Sequence, residues 1–222
     1  MQGAVMALRI RKAVALSHSI EPLQAEPLDA TAQFLLVGDS TAVGTGASAA
    51  DASVAGLIAR QYPHVRIMNR AQVGAKFAEI AKQLEPPQRF DLILIVGGGN
   101  DVIRLTGGAA LQADMGRALQ LTSDRADAVV LMPVGNVGNA PFFTRPLSWL
   151  MRRRSLRLHA LARGAAARAN AIYVNNHKKR HEDPFVRDAR RLNAADGLHP
   201  SDDGYLLWFS ALPDRQPRLR LY

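Results

Sequence analysis

Residues 91–101 read Asp-Leu-Ile-Leu-Ile-Val-Gly-Gly-Gly-Asn-Asp. Leu92 to Val96 form an unbroken apolar run, with no polar residue at alternate positions. A strand covered on one face alternates apolar with polar residues, whereas a strand covered on both faces runs apolar throughout. Three glycines then let the backbone turn sharply where the run ends. The stretch predicts a strand in the middle of a parallel sheet, ending in a glycine loop.

The segments around it follow the same logic. Short apolar runs at 34–37, 65–68, 128–132 and 171–174 are further strand candidates. Between and after them, 51–61, 75–84, 108–121, 155–169 and 202–212 have helical spacing. Pro86-Pro87 ends the second helix. Residues 134–150, rich in Gly, Asn, Pro and aromatics, predict an irregular stretch. This strand–helix alternation implies right-handed crossovers and a mostly parallel sheet with helices on both faces. Such sheets collect functional residues in the loops at the carboxyl ends of their strands.

Composition limits the possibilities further. The 222 residues are 48% hydrophobic and 21% charged, as in an ordinary globular chain and unlike a disordered one. No run of 18 or more apolar residues predicts a transmembrane helix. Cysteine is absent, which removes disulfides, thiol nucleophiles and cysteine-ligated metals. Residues 1–144 carry 12 Lys/Arg against 12 Asp/Glu, and residues 145–222 carry 16 against 7, so the net +9 belongs to the last third. Such a surface attracts anions, although a solvated arginine-rich helix is the plainer reading. Arg9, Arg11 and Lys12 precede only a short apolar run, a poor match to a secretory signal. A cytoplasmic location is therefore expected. Residues 1–20 read as an amphipathic helix or a loose arm, 21–32 as a linker, and 213–222, with Arg215, Arg218 and Arg220, as a basic tail.

Four loops carry chemistry. Gly38-Asp39-Ser40-Thr41 follows the first strand and places a hydroxyl where helix amides favour an oxyanion, or else Ser40 is only a helix cap. A phosphate loop is disfavoured, because no Gly-Lys-Ser/Thr follows. Gly74, after the second strand, can turn its N–H toward a ligand, or is an ordinary loop glycine. Asn100, after the glycine triplet, offers a non-titrating amide donor suited to an oxyanion hole, or is a turn residue. Asp196 lies three residues before His199, close enough to fix the imidazole tautomer, or the pair is an incidental surface turn. Together they make a parts list for serine acyl transfer: hydroxyl, oxyanion donors and an Asp–His pair.

In these blocks the sequence resembles the SGNH (GDSL-type) hydrolases, named for Ser, Gly, Asn and His in four separated motifs. Gly38-Asp39-Ser40, Gly74, Gly98-Gly99-Asn100-Asp101 and Asp196-Gly197-Leu198-His199-Pro200 fall in family order. The resemblance implies a three-layer α/β/α sandwich with a flavodoxin-like sheet of about five strands over a hydrolase domain at 33–212. It implies Ser40 as nucleophile, His199 as general base and then acid, and Asp196 as its orienter. The Ser40 and Gly74 N–H groups and the Asn100 side chain would form the oxyanion hole. No metal or organic cofactor is implied, and the substrate would be a small-molecule or lipid-like acyl ester. The G-x-S-x-G signature of α/β-hydrolases is absent.

Two other readings stay open: a carbohydrate O-deacetylase or acyltransferase of the same fold, and a basic module that binds nucleic acid or membrane on a hydrolase scaffold. The four intact blocks argue against the module, and nucleic acid is not the expected partner. Phe142, Phe143 and Trp149 either wall an acyl pocket or pack on the core. Arg152-Arg153-Arg154 and Arg157 beside them suit peripheral contact with an anionic membrane, or a solvated helix start. His177 and His181, four apart, would share a helix face, but no third ligand accompanies them and Lys178, Lys179 and Arg180 would repel a cation, so no metal site is expected. Tyr205 and Trp208 read as core.

Overall fold

The computed structural model describes residues 11, 14–16, 20–85 and 88–212. Most of the expected N-terminal arm, the Pro86-Pro87 stop and the basic tail lie outside the described residues. Five strands, β1 (Ala32–Gly38), β2 (Val65–Asn69), β3 (Phe90–Gly97), β4 (Ala126–Pro133) and β5 (Ile172–Tyr173), form one parallel sheet in the order β2-β1-β3-β4-β5. β3 is central, as its sequence predicts, and Leu92 through Val96 are all buried. Each such side chain contributes about 1.5–3 kcal/mol by leaving water.

Around the sheet lie the α-helices α1 (Ser40–Val43), α2 (Val54–Gln61), α3 (Phe77–Gln83), α4 (Gly99–Ile103), α5 (Gly108–Gln120), α6 (Leu147–Arg168), α7 (Pro184–Arg187), α8 (Ala189–Leu192) and α9 (Asp202–Ser210). α2 and α9 pack together on one face of the sheet, and α3, α5 and α6 line up on the other. The result is the expected α/β/α sandwich. The chain leaves β1 toward β2 and then crosses back to β3, so the direction of winding reverses between β1 and β3. That switch point opens a crevice at the carboxyl ends of the two strands, and α1 and α4 begin there.

Three differences from the sequence reading have local causes. α6 starts at Leu147 rather than 155. Its buried side includes Ser148 and Ser155, while Trp149, Leu150 and Leu156 face outward, so the apolar period that would reveal the first two turns is missing. Ser155 is stable there because its Oγ accepts the Val137 N–H at 3.1 Å. The stretch 21–32 is no free linker. Ala25 pairs antiparallel with Ile67, and the Gln24 side chain bonds both backbone groups of Asn69 at 2.7 and 3.0 Å, closing the open edge of β2. His177 and His181 lie on an irregular loop, so the four-residue spacing gives them no common helix face. His177 packs 5.2 Å from the His159 ring, and His181 is exposed beside Glu182. Tyr205 and Trp208 are core, and the Tyr205 hydroxyl donates to the Thr45 carbonyl at 2.7 Å.

His159 on α6 is buried and satisfied at both nitrogens. Its Nε2 lies 2.8 Å from the Val134 carbonyl, which can only accept, so Nε2 carries the proton and Nδ1 accepts from the Tyr173 hydroxyl at 2.6 Å. Burial lowers its pKa from 6.5 to about 4. The unfolded chain therefore binds a proton that the folded chain refuses. Stability is complete above pH 6.5 and falls as pH drops toward 4, by about 3 kcal/mol in all. Urea unfolding at stepped pH is expected to show this loss in the wild type and a flatter acid limb in His159→Gln. Parallel limbs in the two proteins would refute it.

Candidate active site

Ser40 sits at the tip of β1 on a turn that allows little freedom. A Cβ on Gly38 would stand 1.9 Å from the Val96 carbonyl oxygen, so only glycine fits where β1 runs this close to β3. The buried Gln83 side chain accepts the Gly38 N–H at 2.7 Å and donates to the Gly38 carbonyl at 2.9 Å, pinning the strand end to α3. Asp39 then caps α1, accepting from the Thr41 N–H at 2.9 Å and the Thr41 hydroxyl at 2.6 Å. Burial pushes the Asp39 carboxyl up, and the bonds from Thr41 oppose that push. Ser40, the first residue of α1, thus presents its hydroxyl into the crevice.

The partner groups come from the loop between α8 and α9. The Ala194 N–H bonds the His199 carbonyl at 2.9 Å, and Gly197 N–H bonds the Ala194 carbonyl at 2.9 Å, which folds the loop back on itself. Asp196 Oδ1 accepts the N–H groups of Leu198 and His199 at 2.9 and 3.1 Å, leaving Oδ2 to meet His199 Nδ1 at 2.6 Å. Burial pushes the Asp196 carboxyl up, but the adjoining His199 ring and the two N–H groups outweigh it and hold the acid below the usual carboxylate range. An ionised carboxylate only accepts, so Nδ1 carries the imidazole proton and Nε2 is a free base. Nε2 lies 2.9 Å from Ser40 Oγ. Ser40, His199 and Asp196, separated by up to 159 positions in sequence, form one hydrogen-bonded chain. All three are buried, at 8%, 8% and 3% exposure, where water screens little of their mutual interaction.

Gly74 and Asn100 face the same crevice. Gly74 has φ +80°, a left-handed conformation that turns the loop after β2 toward Ser40 without steric cost only for glycine. Asn100, on the first turn of α4, donates one Nδ2 hydrogen to the Ala75 carbonyl at 3.2 Å, which fixes the amide plane and leaves the other hydrogen available. Asp101 locks the two loops together by accepting the Phe77 N–H at 3.0 Å. Burial pushes its carboxyl up, against that bond and one from Thr106.

Ser40, Gly74, Asn100 and His199 line a cavity of about 410 Å³. Phe142 lies in its wall and packs against the core as well. Phe143 is not in the wall. It stacks edge-on behind Phe142 with ring centroids 4.9 Å apart. Trp149 is not in the wall either, because it lies on the outward side of α6 under the Arg153 guanidinium. The wall also includes Val134, Asn136 and Asn139 from the irregular stretch after β4, Trp208, which reads as core in the sequence, and Ile103 and Asp183, which carry no sequence signal for a pocket. Asp183 caps α7 by accepting the Phe185 N–H at 3.0 Å, and its other oxygen accepts from Asn139 at 2.7 Å. The Asp183-Pro184 pair is a helix-start signal that could have located this loop. Among the described residues, no three His, Asp or Glu side chains gather as a metal site, and no helix is long and apolar enough to cross a membrane.

Comparison with known proteins gives a consistent result. The model of the GDSL-like Lipase/Acylhydrolase family matches residues 36–207. No curated protein matches by sequence. Among solved structures, a catalytic mutant of Axe2, an acetylxylan esterase from Geobacillus stearothermophilus, superposes with a TM-score of 0.63 at 20% identity, covering 85% of this chain and 95% of that one. LAE5, an alpha/beta hydrolase enzyme from the metagenome of Lake Arreo, gives 0.62 at 16% identity over 84% and 95%. A member of the lipolytic G-D-S-L family from Veillonella parvula gives 0.62 at 16% identity over 81% and 94%. At these identities the structural likeness speaks to the fold.

Proposed function

The chain belongs to the GDSL-like lipase/acylhydrolase family and is an ester hydrolase, and from that premise we propose that it cleaves carboxylic esters through an acyl-enzyme on Ser40. The observation that carries this reading is the unbroken chain from Ser40 Oγ through His199 to Asp196, at 2.9 and 2.6 Å. His199 Nε2 takes the hydroxyl proton as Oγ attacks the ester carbonyl. The tetrahedral oxyanion is met by the Ser40 N–H, the Gly74 N–H and the free Asn100 hydrogen. His199 returns its proton to the departing alcohol. Water then attacks the acyl carbon as Nε2 takes its proton, and Nε2 passes that proton to Ser40 Oγ as the bond between Oγ and the acyl carbon breaks and the acid leaves. Asp196 keeps Nδ1 protonated throughout and stabilises the imidazolium while it exists.

Asn100 provides the test, because it touches charge only as charge develops. Asn100→Ala is expected to lower kcat by about 10²–10³ with a small change in KM. Initial rates on a series of p-nitrophenyl esters check this, and a kcat within threefold of wild type would remove Asn100 from the oxyanion hole.

A second reading, removal of acetyl groups from a carbohydrate, draws on the polar part of the cavity. Asn136, Asn139 and Asp183 offer the acceptors that a hydroxyl-rich alcohol needs. Higher kcat/KM on an acetylated oligosaccharide than on a medium-chain aryl ester would favour it.

A further inference from the structure

The first half of α6 is amphipathic in the unexpected sense. Ser148, Met151, Ser155 and Leu158 are buried, whereas Trp149 is 56% and Leu156 60% exposed, with Leu150 beside them also exposed. Trp149, Arg153, Leu156 and Ala160 follow one another at helical spacing, so they form a single outward stripe. Over its 22 residues the helix carries six arginines and no aspartate or glutamate. The Arg153 guanidinium lies 4.9 Å from the Trp149 ring centroid, which holds the indole in place on the surface. Among the described residues, no carboxylate pairs with Arg153 or Arg157.

The helix that carries the stripe is fastened, by another of its sides, to the rim of the cavity. Arg154 donates to the carbonyls of Val102 and Thr106, fastening α6 to the loop that carries Arg104 and Leu105. Leu105 is exposed, and Arg104 lies in the cavity wall next to Gly74 and the exposed Val73. Exposed apolar tips and arginines without carboxylate partners thus stand both at the cavity rim and along the outer side of α6. A lone exposed leucine needs no explanation, but a row of exposed apolar side chains interleaved with arginines marks a contact surface.

We propose that this surface docks the protein on an anionic lipid bilayer, with the cavity mouth turned toward the membrane plane. Trp149, Leu150 and Leu156 would reach the boundary between headgroups and acyl chains, while the arginines extend to lipid phosphates. The charge fits, since the +9 excess lies in residues 145–222. Nucleic acid would reward the arginines but leave the two leucines in water. The docking is independent of which ester is cleaved.

Vesicle sedimentation tests the proposal. The protein is expected to sediment with phosphatidylcholine vesicles containing phosphatidylglycerol, not with phosphatidylcholine alone, and to be released by high salt. Arg153→Gln with Arg157→Gln should weaken partitioning about 25-fold, roughly fivefold for each arginine. Tryptophan emission should shift to the blue on binding, and Trp149→Phe should abolish the shift while the buried Trp208 signal remains. Unchanged circular dichroism and thermal midpoint would show the variants to be folded. No sedimentation with the anionic vesicles at low salt would overturn the proposal, as would wild-type partitioning by the arginine double variant. A blue shift that follows protein concentration without lipid would assign the stripe to a second copy of the chain, and binding to single-stranded RNA with no binding to vesicles would assign it to nucleic acid. Either result would also overturn the proposal.

Discussion

Ser40→Ala is expected to reduce kcat on an activated ester by about 10⁴-fold or more, leaving only the turnover that the oxyanion donors and binding provide. The substitution removes the one oxygen that lies 2.9 Å from His199 Nε2. The neighbouring Thr41 hydroxyl cannot replace it, because that side chain is committed to Asp39 at 2.6 Å. The fold should survive. Asp39 still caps α1 through the Thr41 N–H, and Gln83 still holds both backbone groups of Gly38. Steady-state hydrolysis of p-nitrophenyl acetate, with circular dichroism as the folding control, measures the effect. A folded variant within tenfold of wild type would contradict the role of Ser40.

Asp196→Asn is expected to cost a similar amount, about 10⁴ in kcat, for a different reason. The carboxylate makes two kinds of bond at once. Oδ1 accepts two backbone N–H groups, and Oδ2 accepts from Nδ1. An asparagine must keep its oxygen toward the two N–H groups, because its amide hydrogens cannot face other donors. Its NH₂ then points at His199 Nδ1 and forces that nitrogen to accept. The imidazole proton moves to Nε2, the atom that must receive the Ser40 proton. The variant keeps its shape and loses its base. Steady-state rates at neutral pH check this, with substrate affinity expected to change little. A loss of less than tenfold would mean that the tautomer is set by something other than Asp196.

The sheet was readable because β3 is apolar on both faces, and only a doubly covered strand sustains such a run. The catalytic candidates were readable because the loops after β1, β2 and β3 and the turn before α9 each concentrate unusual residues within a few positions. Ser40, Gly74, Asn100 and His199 border one crevice, and Asp196 reaches it through His199. The cavity wall was readable only in part, through Phe142 and the irregular stretch that holds it. Ile103, Val134, Asp183 and Trp208 come from four separate segments, and nothing in any one of them signals that the others converge on it. Trp149 misled for a related reason. Aromatic residues in a loop-like stretch suggest a pocket, but the stretch continues into α6, whose buried side is lined partly by serine. A helix whose larger apolar residues face outward defeats any reading that assigns apolar to inside. The short helices α7 and α8 escaped because four residues carry no period.

The central claim is that His199 activates Ser40 for attack on an acyl carbon. Labelling with a fluorophosphonate, followed by peptide mapping, tests it without knowledge of the natural ester. The account predicts a single modified peptide carrying the label on Ser40 in the wild type, and no label in folded His199→Ala. Label on another serine, undiminished label in the histidine variant, or no label on folded wild-type protein would contradict it.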